Sequence, residues 1–224
     1  MKIKPFITTL ALSSIATTVT AADIGGGVDL SGNVTFASEY FWRGMDQNSG
    51  APAMQGGMDL AHESGLYFGI WTSNINFGGG DTSQEVDYYG GFANEVGWLG
   101  YDIGAISYQY PGNTGDLEFE EAYVGLSTTL ASIDIGFTAI NGASAATDAY
   151  EFSLGTAIGA IGISGTVGEY DDFGDYMTLS VSTEILPETY PLEISLAYTE
   201  IDADEISGLT TDDEATILSV SKSF

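Results

Sequence analysis

The chain has 224 residues, enough for one large domain or two small ones, and carries 32 acidic residues against four basic ones, a formal net charge of −28. Only Lys2, Lys4, Arg43 and Lys222 could neutralise phosphates, which argues against a nucleic-acid partner, and the absence of cysteine removes disulfides, thiol catalysis and cysteine-based zinc sites. Hydrophobic residues still make up 44% of the chain, too many for the acidity to signify disorder.

The first 22 residues read as a secretory signal peptide. Lys2 and Lys4 form a charged start, Phe6–Thr18 is apolar and small, and Val19-Thr20-Ala21 or Thr20-Ala21-Ala22 offers a cleavage site. The apolar run is shorter than the roughly 20 residues that a spanning helix needs. A mature chain starting at Ala22 or Asp23 keeps 32 acids and two bases, a net of −30. Residues 23–224 are then one domain, and no stretch of it has the 3.6-residue apolar period of a helix.

What recurs instead is strict alternation. In Val28–Tyr40 the even positions are mostly apolar (Val28, Leu30, Val34, Phe36, Tyr40) and the odd ones polar (Asp29, Ser31, Asn33, Thr35, Glu39), as in a strand with one apolar and one polar wall. The pattern predicts strands over 28–41, 53–62, 66–75, 85–95, 98–110, 118–126, 133–140, 150–158, 161–169, 175–183, 191–201 and 214–224. Twelve is an even number. The links alternate too. Met45–Ala51, Asn76–Gln84, Pro111–Leu117, Asn141–Ala149, Tyr170–Gly174 and Asp202–Asp213 are polar and rich in Gly or Asp. Between them lie tighter or more apolar links, at Glu63-Ser64-Gly65, Val96-Gly97, Thr128–Ala131, Gly159-Ala160 and the longer Glu184–Tyr190. Long loops at one end and short turns at the other mark an all-β, antiparallel up-and-down outer-membrane β-barrel, with ten or fourteen strands as the nearest alternatives to twelve.

A soluble sandwich would alternate as well. Its solvated face would carry Lys and Glu, whereas the polar face here is rich in Gly, Ser and Thr. Aromatic residues gather near predicted strand ends (Tyr40, Trp42, Trp71, Trp98, Tyr108, Tyr110, Tyr170, Tyr176), where membrane girdles lie. The last strand alternates into a terminal Phe224, resembling the assembly signal read by the barrel-assembly machinery of the bacterial outer membrane. Two segments resist a single register: 66–75 fits either, and Glu120-Glu121 puts one carboxylate on each face.

Longer motifs follow from Ser38 onward: SEYFWRGMDQ (38–47), PAMQGGMD (52–59), FGIWTSNI (68–75), EVDYYGG (85–91), YDIG (101–104) and YQYPG (108–112). This series, over roughly residues 28–126, resembles the TorF family of porin-like proteobacterial outer-membrane proteins. The remainder agrees in layout and in its VSKSF ending; Asp46 stands where that family pattern suggests a small polar residue such as Ser. The resemblance implies a barrel in the cell outer membrane of a Gram-negative bacterium, surrounded by lipid and passing small hydrophilic solutes.

Other chemistry is weakly encoded. His62, Glu63 and Ser64 invite comparison with barrel hydrolases, but three residues of one turn do not orient a base against a nucleophile and an oxyanion site. No enzyme is expected. Asp202–Gly208 and Thr211–Glu214 concentrate oxygen ligands, but Ile206 breaks the spacing of an EF-hand loop, and no metal or other cofactor is expected. The informative residues are those the register turns inward: Asp29, Glu39, Asp59, Glu85, Asp87, Asp102, Asp134, Glu151 and Glu193, with Arg43 as the inward base. Carboxylate rings attract cations and repel anions, so the expectation is a cation-preferring pore, Arg43 being paired with Glu39 or Asp59. The alternatives are a structural or adhesin-like barrel whose lumen is plugged, and acidity that reflects a saline habitat rather than a solute.

Overall fold

A computed structural model describes residues 21–78, 82–112, 117–143, 146–186, 192–204 and 212–224. Residues 1–20 of the predicted signal, the tips of four predicted links (79–81, 113–116, 187–191 and 205–211) and Ser144-Ala145 lie outside the described residues. Among those described, twelve long strands form the architecture: β1 (Val28–Ala37), β2 (Ala53–His62), β3 (Leu66–Asn74), β4 (Gln84–Val96), β5 (Leu99–Gln109), β6 (Phe119–Leu130), β7 (Ile133–Ala143), β8 (Ala149–Ile158), β9 (Ile161–Tyr170), β10 (Gly174–Glu184), β11 (Glu193–Ala203) and β12 (Asp213–Ser223). Each pairs antiparallel with the next, and β1 pairs with both β2 and β12, so the sheet closes into a barrel. Closure removes the open edges that a sheet of this size would otherwise present.

Register follows the sequence alternation. Phe36 faces Met54, Met58 faces Ile70, Ile135 faces Leu154, and Val181 faces Leu196, all on the outer wall. Six of these side chains are about half exposed, Ile70 and Ile135 less so, and together they make an apolar outer surface. The ambiguous segment is settled by β3, whose odd residues Tyr67, Gly69, Trp71 and Ser73 point inward. At the short-turn end β4–β5, β6–β7 and β8–β9 are joined by two-residue hairpins, with Gly97 and Gly159 at the positive φ such turns require.

The strand bounds agree with the alternation to within a few residues, with one exception that matters. β1 ends at Ala37 rather than near residue 41. Ser38 takes the last bonds of that edge, its amide donating to the Leu218 carbonyl and its hydroxyl accepting from the Leu218 amide. The chain then turns into the barrel.

The seam between β1 and β12 is short. It spans Ser219–Ser223 against Asn33–Ala37, and Phe224 and Gly32 exchange both backbone bonds beyond it. The rest of that edge of β1 is occupied by the segment Ala22–Gly25, with Ala22 opposite Leu30. Phe224 lies on the outer wall, its ring covering Gly32.

Candidate functional site: an inner hairpin and its carboxylate cage

Residues 38–52 do not reach outward as a surface loop. Phe41–Trp42 pairs with Met45–Asp46 in a small hairpin, closed by a bond from the Gln47 amide to the Tyr40 carbonyl. Arg43 and Gly44 form its turn with φ of 49° and 77°. Two consecutive positive φ values are the requirement of a tight primed turn, whose first position normally carries Asn, Asp or Gly. Arginine there costs about 1–2 kcal/mol. Gly44 is needed for space as well, since a Cβ would stand 2.6 Å from the Glu200 carbonyl oxygen and 2.7 Å from Ile201 Cβ. The tip is therefore pressed against β11.

The return leg is tied down locally. The Asp46 carboxylate accepts the amides of Asn48 and Gly50, each at 2.7 Å, and buried Asn48 donates to the carbonyls of Ala51 and Pro52. A serine at this position would have one oxygen where Asp46 uses two.

From this tip the Trp42 and Arg43 side chains cross to the opposite wall. The Arg43 guanidinium donates to Glu121 on β6 through two nitrogens, at 2.7 and 2.9 Å, and both side chains are shielded from solvent. It lies 4.2 Å from the Trp42 ring centroid and 4.7 Å from that of Tyr170 on β9. Glu151 on β8 approaches its Nε to 4.0 Å, too far for a hydrogen bond, and among the described residues Nε has no hydrogen-bond partner. Tyr108 on β5 donates to Glu121 at 3.2 Å and Tyr176 on β10 to Glu151 at 2.7 Å. Burial acts to lower the Arg43 pKa, but the Glu121 charge and its hydrogen bonds outweigh this, so the guanidinium stays charged at any accessible pH.

The expected partners of Arg43 were Glu39 and Asp59, and neither holds it. Glu39 sits beyond the end of β1, half-buried at the root of the hairpin. Asp59 accepts the Tyr89 hydroxyl at 2.5 Å. Both pairings follow from a strand running straight to residue 41 with Arg43 just past its end, on the Glu39 face; once the chain folds inward the arginine reaches across the lumen instead. Glu121 was readable: Phe119 and Tyr123 are inward while Ala122, Val124 and Leu126 form the outer row, so alternation assigns Glu121 inward and Glu120 to the outer rim.

The aromatic residues need a second correction. Tyr40, Tyr108, Tyr110, Tyr170 and Tyr176 are buried inside the barrel rather than lying in a girdle, and Trp98 is the one of the eight that stands well exposed, at 77%. Trp42 meets Tyr108, Phe119 and Tyr170 with centroids 5.5–5.9 Å apart, and Tyr40 meets Trp71 at 5.5 Å. Burial first, then the charges of Glu85 and Asp87, push the Tyr40 hydroxyl well above its ordinary range, so it remains a neutral donor. Luminal glycines make room for such rings. Tyr176 lies across Gly168 and Tyr89 across Gly69, each the residue directly opposite on the neighbouring strand. Gly168→Ala is expected to lift the Tyr176 ring from the wall and break its bond to Glu151, at about 1–3 kcal/mol. The fall in the urea midpoint of the folded barrel measures it.

The other expected inward acids fall on the inner row of their strands. Glu85 and Asp87 are buried, each with one carboxylate oxygen lacking a partner. Buried Asp102 accepts Tyr67, whose hydroxyl also meets that of Tyr123. Asp134 accepts Thr129 and buried Glu193 accepts Ser182, both toward the short-turn end, and Asp29 is exposed at that end. The wall there carries small hydroxyls that bridge strands, Ser164 to Ser180, Ser195 to Ser219 and Thr35 to Ser221. Ser153, Gly155, Ser164 and Thr166 are partly exposed on the inner face. The lumen is thus aromatic and filled at the long-loop end and lined by small hydroxyls at the other. His62 contacts Ser64 at 2.7 Å within its exposed turn.

Comparison with known proteins gives a family and a fold. The profile of a bacterial protein family of unknown function, Gcw_chp, matches residues 21–224. No curated protein matches the sequence. Among solved structures, the KdgM porin superposes with a TM-score of 0.60 at 6% identity, covering 87% of this chain and 98% of its own. The outer-membrane protein OpdK of Pseudomonas aeruginosa covers 91% of this chain and 68% of its own, with a TM-score of 0.46 and 11% identity. OccK9 (OpdG) of the same organism gives 0.46 at 12% identity, over 91% of this chain and 65% of its own.

Proposed function

We propose that this chain, which belongs to the Gcw_chp family of bacterial proteins, is an outer-membrane channel for small hydrophilic solutes, with a preference for cations. The observation that carries the reading is the pairing of an apolar outer wall with a carboxylate-lined inner wall in a closed barrel. Half-exposed apolar residues on every strand call for lipid, and the acids turned the other way would be penalised by a few kcal/mol there. The KdgM-like fold and the TorF-like motifs support the same location, and cleavage of residues 1–22 followed by assembly through Phe224 would deliver it. Asp29, Glu39, Asp59, Glu85, Asp87, Asp102, Asp134, Glu151 and Glu193 set the sign of the field in the lumen, and the inner hairpin sets its width. A closed, structural barrel is the second reading, favoured by one observation: the hairpin crosses the lumen with Arg43 fully enclosed. Single-channel recording of refolded protein under a KCl gradient separates the two. Conductance steps with a reversal potential on the cation side are expected; a folded barrel without steps supports the closed reading.

A further inference from the structure

The Arg43 enclosure has the composition of a binding site. Glu121 presents a carboxylate edge-on to two nitrogens, Tyr170 covers one face, and Tyr108 and Tyr176 fix the carboxylates of Glu121 and Glu151. All five belong to strands of the barrel wall, β5, β6, β8, β9 and β10, so the hairpin does not carry them, and Trp42 packs against two of them, Tyr108 and Tyr170. Only Trp42 and Arg43 are brought by the chain that folds inward. A planar fork of donors against a carboxylate, between aromatic faces, is the arrangement that distinguishes a guanidinium from an ammonium ion.

The internal ligand fits imperfectly. Its Nε is buried without a hydrogen bond, and Glu151 remains 4.0 Å away. Its backbone sits at φ 49°, where a side chain is disfavoured. The strands that carry it are two residues long. A free guanidinium has none of these constraints and could turn its third nitrogen toward Glu151.

We infer that the wall residues Glu121, Glu151 and Tyr170 form a luminal binding site for a small guanidinium-bearing solute, which Arg43 occupies as an internal stand-in until such a solute displaces it and frees the hairpin from the lumen. The displacement half of this inference rests on the channel reading above; the binding half does not.

The test is a pair of measurements on the refolded Arg43→Gly protein, in which glycine suits the turn and the cage is vacated. Folding is verified by heat-modifiable migration. Titration with n-propylguanidinium in detergent, read by Trp42 fluorescence against the constant background of Trp71 and Trp98, is expected to saturate, with n-propylammonium at least about tenfold weaker because it lacks the bidentate fork. Adding Glu121→Gln to Arg43→Gly is expected to abolish saturation, and the unsubstituted protein to need far higher concentrations. In planar bilayers Arg43→Gly is expected to conduct more than the unsubstituted protein and to be blocked by n-propylguanidinium. Saturation without conductance steps would retain the site and defeat the channel reading. Steps with no saturable binding, or with equal binding of the two ions, would overturn the site and leave the channel. If Arg43→Gly does not fold, Arg43→Lys keeps the charge but loses the fork, and n-propylguanidinium should bind it at lower concentration than it binds the unsubstituted protein; equal concentrations would overturn the inference.

Discussion

Glu121→Ala is expected to destabilise the folded barrel by about 3–5 kcal/mol, the cost of leaving a buried guanidinium without its charge partner. The pair is enclosed on both sides, Arg43 under Trp42 and Tyr170 and Glu121 behind Tyr108, so water cannot take over the lost bonds. Glu151, near Nε, offers partial relief and places the loss toward the lower end of that range. Removing both charges at once, as Arg43→Met with Glu121→Leu, should restore most of the stability, because a buried ion pair often does no better than apolar side chains of similar volume. Urea unfolding of refolded protein in lipid vesicles, followed by tryptophan fluorescence, measures both variants against the parent. A loss under about 1 kcal/mol for Glu121→Ala would place the pair in water, like an exposed salt bridge.

An arginine at position 154 should be tolerated far less well than one at position 166. Leu154 is in the middle of β8 on the outer wall, between Ile135 and Gly165, and is 45% exposed. A charge at that depth faces hydrocarbon and is expected to cost about 2–4 kcal/mol. Thr166 is on the inner row of β9, opposite Ser153 and Thr178, where side chains are small and partly exposed. Thr166→Arg should fold into vesicles almost as the parent does, and should weaken cation preference by adding a positive charge to the lumen. Folding yields and reversal potentials report the two effects separately. If Leu154→Arg folds as readily as Thr166→Arg, the outer wall does not face lipid.

The barrel itself was legible because alternation is a property of residues two apart, and a one-residue slip would turn every side chain to the wrong wall. Leu154, Leu196 and Val181 announce the outer face by themselves. The inner hairpin was not legible for the same reason. Tyr40-Phe41-Trp42 continues the apolar character of β1, and local sequence cannot distinguish an aromatic run that meets lipid from one that packs against Tyr108, Tyr170 and Phe119 from distant strands. One local sign was available. Arg43-Gly44 between Phe41-Trp42 and Met45-Asp46 has the length of a two-residue hairpin turn, although arginine is an unusual first member of it. The partner of Arg43 depended on that turn. With β1 read as straight to residue 41, Glu39 and Asp59 were the natural neighbours; with the turn in place, Glu121, 78 positions away, becomes reachable.

Phe224 and the segment Ala22–Gly25 share one edge of β1. Phe224 stands opposite Gly32 and Ala22 opposite Leu30, with the chain running in the same direction through both. β12 and Ala22–Gly25 are thus collinear, interrupted at the single position opposite Ser31. One residue inserted between Phe224 and Ala22 would therefore weld the two segments into one strand and keep the bonds between Phe224 and Gly32, and the polypeptide could be opened elsewhere, for example at the Asp171–Phe173 turn. Such a circular permutant would bury the present seam within an unbroken strand and move the last step of barrel closure to the far side of the wall.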